Sequence, residues 1–373
     1  MRERLAYMAD RIEAVLSLHR ISSRVTGGTV TPRWIRFQVL PAPGTKMSKI
    51  KGLSDELAVA LDTSNCQVSR RGAAVDIEVS RDDPLPVRLL PLYRQFGEEG
   101  VGTIPPATAI LGLAEDGAPL LIRLPSPDVA HILITGAAGA GKTTLLQAIV
   151  LSLALANPAP GPLLKGGGLA LVLVDFSGRA FGSFDGLPHL PRPVICDTDE
   201  AIEALQSLIR LMDRRLHAGE SERGSCPKSR TIIAIDELAD LLAAASGTVF
   251  QALTRLTQRG REAGIHVIAA TREIVLLESL RKAYFPVRLV GQVASATDAR
   301  TATGWSGTGA ERLAGHGDFL AVAEGGLIRL HAAHVSAEEI AEVLACLTQA
   351  KAQSAPVTLP WPPGQLAQLS KQV

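Results

Sequence analysis

A glycine-rich segment of the chain has the residue types and the spacing of a phosphate-binding loop. Residues 136–143 read Gly-Ala-Ala-Gly-Ala-Gly-Lys-Thr and fit the pattern G-x-x-x-x-G-K-[ST]. Glycines let such a loop direct backbone N–H groups at phosphate oxygens, while Lys142 would reach the β- and γ-phosphates and the Thr143 hydroxyl would bind Mg²⁺. A glycine-rich turn that matches by chance is the alternative, but an apolar stretch precedes the loop and a helical pattern follows it, as the motif requires. The expected nucleotide-binding residues are Gly136, Ala137, Ala138, Gly139, Ala140, Gly141, Lys142, Thr143 and Thr144.

Two adjacent carboxylates further along the chain would complete a hydrolytic site. Asp236 and Glu237 end the apolar stretch Thr-Ile-Ile-Ala-Ile. Asp236 would hold the Mg²⁺ shell together with Thr143, and Glu237 would orient and polarise the attacking water. A strand followed by an acidic helix start is common by itself, but the phosphate loop upstream favours hydrolysis over passive nucleotide sensing.

Alternating strand and helix patterns would position these residues in one sheet. Helices are predicted from Lys142 to about Leu155 and after Asp197, whose spacing to Glu200 indicates a capping box. The alternation throughout residues 130–335 predicts an α/β fold with a mostly parallel sheet that is covered on both faces. Its buried strands are predicted at residues 131–135, 169–174, 232–235 and 265–270.

The N-terminal part of the chain predicts a small α/β unit of its own. Its helices are expected at residues 1–20 and 48–61, and its strands at residues 30–40, 66–68, 74–79 and 87–90. Its basic residues could line a nucleic-acid surface or lie on a solvated face, and both interpretations stay open: Arg33, Arg36, Lys46, Lys49 and Lys51. The predicted domains are 1–95 for this subdomain, 96–128 for a connecting β-hairpin, 129–350 for the nucleotide-binding domain and 351–373 for a flexible tail.

Composition limits the class of protein. The 373 residues are 46% hydrophobic with a formal net charge of +1, so a large core is available and any DNA-binding surface must be local. The four cysteines lie far apart without metal-ligand spacing, which is typical of reduced thiols in a cytosolic protein. No apolar run is long enough to span a bilayer. We therefore expect a cytoplasmic protein without membrane insertion.

Taken together, the motifs resemble the motor domain of the FtsK/SpoIIIE DNA translocase family. Residues 34–61 look like the alpha subdomain of that motor, including a Pro-Ala-Pro-Gly turn. Further family-like segments follow in the same order as in the family: His131–Thr143, Gly186–Leu190, Ile235–Leu241, Gly264–His266, Asp298–Thr301 and Gly315–Asp318. The resemblance implies a RecA-like P-loop NTPase core, ATP as the nucleotide, and a homohexameric ring that moves double-stranded DNA. Nothing in the sequence resembles the family's membrane segment or its C-terminal winged-helix module, and a recruiting protein is not indicated.

The resemblance also implies roles for individual cations. Arg261 would reach the γ-phosphate in the neighbouring subunit. The alternative is that Arg259 and Arg261 are two cations at a salt-bridged helix end. The implied DNA contacts, made to phosphates and hence independent of sequence, are Arg272, Arg281, Lys282 and Arg300. One departure from the family is visible at Thr271-Arg272, where the family usually has Thr-Gln. This replacement puts in question how ATP hydrolysis is coupled to DNA movement at this position.

The sequence thus predicts an ATPase with Lys142, Asp236, Glu237 and Arg261 as catalytic residues and double-stranded DNA as its partner. One alternative is a coupling ATPase of the kind used in conjugation or secretion. The other is a nucleotide-binding switch that is not a motor, which would hydrolyse ATP slowly and without stimulation by DNA.

Overall fold

The chain divides into two compact units in the computed structural model. Unit 1 comprises Met1–Val87 and Glu115–Ala118, and unit 2 comprises Arg88–Ala114 and Pro119–Val373. The residues whose structure is described are 2–30, 34–63, 66–72, 74–81, 85–98, 104–160, 168–221, 229–274 and 285–353. Arg33, Arg281, Lys282 and the predicted tail beyond residue 353 lie outside these ranges.

Unit 1 is an antiparallel sheet packed against helices. Its strands are β1 (Ser23–Val30), β2 (Trp34–Pro41), β3 (Cys66–Arg71) and β4 (Ala74–Ser80), in the order β1-β2-β4-β3. Its helices are α1 (Arg2–Leu18), α2 (Met47–Lys51) and α3 (Ser54–Ala60). Ile12, Leu16, Ile50 and Leu57 of these helices are fully buried in one core with alternate residues of β2 and β4. The predicted α/β composition of this unit is confirmed.

Two details of unit 1 differ from the sequence prediction. The single helix expected at 48–61 is two helices, because the chain turns at Gly52 between α2 and α3. Neither interpretation of the basic residues fits Arg36, which is buried and donates two hydrogen bonds to Glu78, at 2.8 and 2.7 Å. Lys46, Lys49 and Lys51 are exposed.

The strand predicted at residues 87–90 is wrong, because the chain there enters a helix. Helix α4 runs from Leu89 to Glu98 and buries Leu89 and Leu90. Pro91 lies in its first turn, where the missing N–H of proline has no intrahelical partner to lose. A short apolar run cannot by itself distinguish a strand from the start of a helix.

Unit 2 is built on a nine-stranded sheet in the order β6-β5-β13-β12-β11-β7-β10-β9-β8. The half that runs from β11 to β8 is parallel, and the half from β12 to β6 is antiparallel. All four buried strands predicted from the sequence are confirmed and belong to the parallel half. The strands are β5 (Thr108–Ala114), β6 (Pro119–Arg123), β7 (Ile132–Thr135), β8 (Leu169–Asp175), β9 (Arg230–Asp236), β10 (Ile265–Thr271), β11 (Val287–Val290), β12 (Asp318–Ala323) and β13 (Gly326–Ala332).

Helices cover this sheet. Helix α5 packs against β5, β7, β9 and β10, and its residues from Leu145 to Leu155 are buried except for the half-buried Gln147. Helices α6 and α7 pack on each other, and Asp197 caps α6 by accepting hydrogen bonds from the N–H groups of Asp199 and Glu200. Among the described residues, no helix is long and apolar enough to cross a membrane. The helix bounds are α5 (Lys142–Ala156), α6 (Thr198–Ser221), α7 (Leu238–Arg259), α8 (Ala296–Thr303) and α9 (Ala337–Gln353).

Candidate nucleotide-binding site

The phosphate-binding loop lies between β7 and α5 in the middle of the large sheet. Strand β7 is fully buried between β10 and β11, so the chain leaves it at a fixed point. Gly141 has φ +97° and directly precedes the first residue of α5. A Cβ there would lie 2.9 Å from the backbone nitrogen of Gly317, so both the backbone angle and the close approach require glycine. The helix N-terminus and the loop N–H groups together form an anion-binding cradle.

Backbone hydrogen bonds to residues far away in the sequence fix the conformation of this loop. The N–H of Ala137 donates to the carbonyl of Gln292 at 2.7 Å. The N–H groups of His316 and Gly317 donate to the carbonyls of Gly139 and Ala140, at 3.0 and 2.9 Å. The segment Gly315–Asp318, which the sequence marks as family-like without indicating a role, braces the loop through these hydrogen bonds. Gln292 was not foreseen, because nothing in the local pattern links the end of β11 to the loop.

Lys142 lies folded over the loop that precedes it. Its ammonium donates to the carbonyls of Gly136 and Ala137, at 2.9 and 3.0 Å. Burial lowers the pKa of Lys142, whereas Glu237 and Asp236 act in the opposite direction. The charge is thus held where β- and γ-phosphate oxygens would accept the same hydrogen bonds.

Thr143 and Asp236 provide a pair of oxygen ligands that suits Mg²⁺. Asp236 ends β9, and β10 lies between that strand and β7. The Thr143 hydroxyl donates to Oδ1 of Asp236 at 3.1 Å. Burial raises the pKa of Asp236 to about 6, with smaller contributions from the negative charges of Asp175 and Glu237. Mg²⁺ is commonly held by one or two protein oxygens plus phosphates and water, so these residues fit the ion.

Glu237 adopts an unusual backbone conformation next to this pair. Its φ is +61°, in the left-handed region that a non-glycine residue adopts at a cost, and α7 begins immediately after it. Its Oε1 accepts hydrogen bonds from the hydroxyl of Thr271, at 3.1 Å, and from the N–H of Arg272, at 3.3 Å. The Arg272 Nε lies 3.5 Å from the other carboxylate oxygen. A residue expected to contact DNA is therefore paired with the carboxylate expected to activate water.

Arg261 lies near the N-terminal ends of the parallel strands, whereas the phosphate-binding loop lies at their C-terminal ends. It is exposed in the connection between α7 and β10, ahead of Ile265, whereas the loop follows the other end of the parallel strand β7. A seven-residue strand spans about 20 Å, which is more than an arginine side chain can bridge. Arg261 cannot serve the loop of its own chain. Arg300 is exposed on α8.

Two buried histidines lie near Arg261 at the N-terminal ends of β7 and β10. The His266 Nδ1–H donates to the carbonyl of Ala130 at 2.8 Å, and His131 Nδ1 accepts from the N–H of Val267 at 3.0 Å. Burial lowers the pKa of His131 to about 3 and that of His266 to about 4, and the charge of Arg261 acts in the same direction. Both rings are neutral in the folded protein at neutral pH.

Acidification should therefore destabilise unit 2. Between the ordinary histidine pKa of about 6.5 and the lowered values, the unfolded chain binds protons that the folded chain does not, so stability falls as pH falls. From pH 7.5 to 5.5 the contribution of the two histidines to the free energy of unfolding falls by about 3 kcal/mol. Proton uptake by Asp236 in the folded protein offsets about 1 kcal/mol of this loss. Hydrogen exchange of the β7 and β10 amides should report a net loss of about 2 kcal/mol. A His131→Asn/His266→Asn variant keeps both Nδ1 hydrogen-bonding roles; an unchanged pH slope in it would contradict the assignment.

These features define a P-loop NTPase with a RecA-like core: strand β7, the phosphate-binding loop, helix α5, Asp236 at the end of β9 and Glu237 directly after it. The profile of the FtsK/SpoIIIE family matches residues 105–223, and that of the FtsK alpha domain matches residues 1–80. The DNA translocase FtsK of Sporosarcina ureae is 32% identical over 374 residues, covering 92% of this chain and 46% of that protein. The DNA translocase SpoIIIE of Bacillus subtilis (strain 168) is 30% identical with the same coverage.

The chain belongs to the FtsK/SpoIIIE family, and it spans about half the length of these curated relatives. Solved structures share its fold. The pCW3 conjugation coupling protein TcpA, in a monomer form with ATPγS, has a TM-score of 0.59 at 18% identity and covers 92% of this chain and 99% of its own. The cytoplasmic domain of the type VII secretion ATPase EccC from Thermomonospora curvata has a TM-score of 0.54 at 23% identity, over 69% of this chain and 32% of its own. At these identities the likeness concerns the fold.

Proposed function

We propose that this chain hydrolyses ATP and uses the energy to move double-stranded DNA. The observation that carries the proposal is the arrangement of Lys142, Thr143, Asp236 and Glu237 around one loop in a chain of this family. Relatives named DNA translocases match nearly the whole chain, which supports DNA as the substrate that is moved. ATP and duplex DNA are both cytoplasmic, and we place the protein in that compartment.

Each residue of the site has a distinct task in the proposed hydrolysis. The loop N–H groups and Lys142 bind the β- and γ-phosphates and stabilise charge that develops on them. Mg²⁺, held by Thr143 and Asp236, would neutralise phosphate charge when bound. Glu237 accepts a hydrogen bond from the attacking water and orients it towards the γ-phosphorus. Below a pH of about 6, Asp236 is increasingly protonated in the free protein, which should weaken Mg²⁺ binding.

The active assembly that we propose is a ring of identical subunits, with six as the expected number. The position of Arg261 supports this, because a residue at the N-terminal ends of the strands cannot reach the phosphate-binding loop of its own chain. In a ring, the surface that carries Arg261 would face the phosphate-binding loop of a neighbouring subunit. The guanidinium would then stabilise the γ-phosphate charge in the transition state. The proposed DNA contacts are Arg272 and Arg300, together with Arg281 and Lys282, which follow β10 in the sequence.

ATPase activity with and without linear duplex DNA, paired with displacement of a triplex-forming strand, tests the function. We expect duplex DNA to raise the hydrolysis rate, and the chain to displace the third strand without separating the duplex. Raising the salt concentration should reduce the stimulation steeply, because the contacts are to phosphates. Slow hydrolysis that DNA does not change would instead indicate a nucleotide switch. Hydrolysis stimulated by a secreted protein rather than by DNA would indicate a coupling ATPase.

A further inference from the structure

The carboxylate of Glu237 is contacted by two consecutive residues at the end of β10, and their contacts differ in kind. The Thr271 hydroxyl is 3.1 Å from Oε1, and the Arg272 guanidinium Nε is 3.5 Å from Oε2. The backbone N–H of Arg272 donates to Oε1 at 3.3 Å and depends on no side chain. One side of the carboxylate is thus held by neutral donors and the other by a full positive charge.

Sheet topology makes these contacts a fixed property of the fold. Strand β10 lies between β7 and β9, and Thr271 pairs in register with Thr135, the last residue before the phosphate-binding loop. Glu237 follows the last residue of β9, and its left-handed backbone directs the chain into α7. The end of β10 therefore separates the nucleotide loop from the carboxylate, and its residues contact Glu237 from that side.

The two contacts differ in their accessibility to an outside ligand. Thr271 is fully buried, so no external group can reach its hydroxyl. The Arg272 side chain is 60% exposed and that of Glu237 is 21% exposed. An ion pair as exposed as this one is weak, and a phosphate that binds the guanidinium through two hydrogen bonds can displace it.

We propose that Thr271 is a positioning residue for Glu237, and that Arg272 restrains the same carboxylate until a phosphate of the DNA backbone binds its guanidinium. A carboxylate paired with a cation is a poorer hydrogen-bond acceptor for water than one held by a hydroxyl alone. DNA contact at Arg272 would leave Glu237 held by Thr271 and the backbone N–H, in position for hydrolysis. The inference rests on the proposed motor function and states how DNA would stimulate it.

Arg272→Gln tests the restraint directly. It removes the charge, keeps the backbone donor and leaves a neutral polar side chain. Without DNA, its ATPase rate should rise about fivefold over the unsubstituted protein, the factor that corresponds to an exposed ion pair. Stimulation by DNA should shrink by the same factor, and nucleotide affinity should stay unchanged. Arg272→Lys, which retains the charge, should keep the slow DNA-free rate.

Thr271→Val has the opposite expected sign. It preserves shape and removes the positioning hydroxyl, so kcat should fall with and without DNA while KM for ATP stays the same. Arg255→Gln is the matched control, because it breaks an exposed pair with Asp213, at 3.1 Å, away from the nucleotide site. It should change neither rate.

The results separate this inference from the proposed function. An Arg272→Gln rate without DNA that equals that of the unsubstituted protein overturns the restraint, whether or not DNA stimulates hydrolysis. A faster DNA-free rate in Arg272→Gln combined with an unsubstituted protein that ignores DNA supports the restraint but refutes both its release by DNA and the motor. A kcat unchanged in Thr271→Val removes that residue from the positioning role.

Discussion

Replacing Lys142 with alanine should weaken nucleotide binding by about 100-fold or more, because two charge-assisted hydrogen bonds to phosphate oxygens are lost. Titration with a fluorescent ATP analogue measures this affinity directly. The ammonium donates to the carbonyls of Gly136 and Ala137, which belong to the same loop, so folding should survive the change. Near-normal binding in Lys142→Ala would show that the loop does not use this charge.

Glu237→Gln is the matched counterpart, because it keeps the shape of the site and removes the acceptor charge. It should bind ATP normally and lose about 100-fold to 10,000-fold in hydrolysis rate, the range for a general base. Single-turnover measurements separate the two steps. Rapid hydrolysis in Glu237→Gln would move the role of activating water to another residue.

Replacing Arg261 with alanine should leave ATP binding intact and slow hydrolysis by about 1,000-fold, the lower range for an arginine supplied by a neighbour. The decisive experiment mixes Arg261→Ala subunits with Lys142→Ala subunits, each inactive alone. A site at the boundary between the two kinds can combine an intact loop from one with an intact Arg261 from the other. Mixing should therefore restore part of the activity.

Arg259→Ala is the control for this experiment. Arg259 is also exposed and ends α7, only two residues earlier, so a general loss of positive charge at the N-terminal ends of the strands would affect both variants equally. Activity that falls equally in Arg259→Ala, or a mixture that stays inactive, would contradict a specific role for Arg261 in a neighbouring site.

Sequence patterns predict the parts of the site that are local. The loop between β7 and α5 is recognisable because its glycines, Lys142 and Thr143 are consecutive and carry their own geometry. The apolar runs of β7, β8, β9 and β10 are equally plain, because strands buried on both faces need continuous apolar residues. Strand β1 was not predicted, since Gly27 and Gly28 interrupt any alternation there.

The contacts missed from the sequence join residues far apart in the chain. Arg272 and Glu237 are 35 residues apart, and their pairing depends on β10 being placed beside β9. The hydrogen bond from Ala137 to Gln292 likewise requires β11 to lie beside β7. Strand order is set by packing of the whole sheet, which no local periodicity encodes. The sequence therefore predicts Arg272 as a DNA contact and as a departure from the family pattern, but not its pairing with Glu237.

The brace formed by His316 and Gly317 has a consequence for engineering this fold. Those residues are anchored by Asp318, which forms a buried ion pair with Arg329 across β12 and β13, at 2.9 and 2.8 Å. The nucleotide loop thus takes its shape from a hairpin that follows it by well over a hundred positions. A chimera that grafts residues 132–156 from a relative without the β12–β13 hairpin would carry a correct motif on a mismatched support. The loop segment and the β12–β13 hairpin should therefore be exchanged together, from the same relative.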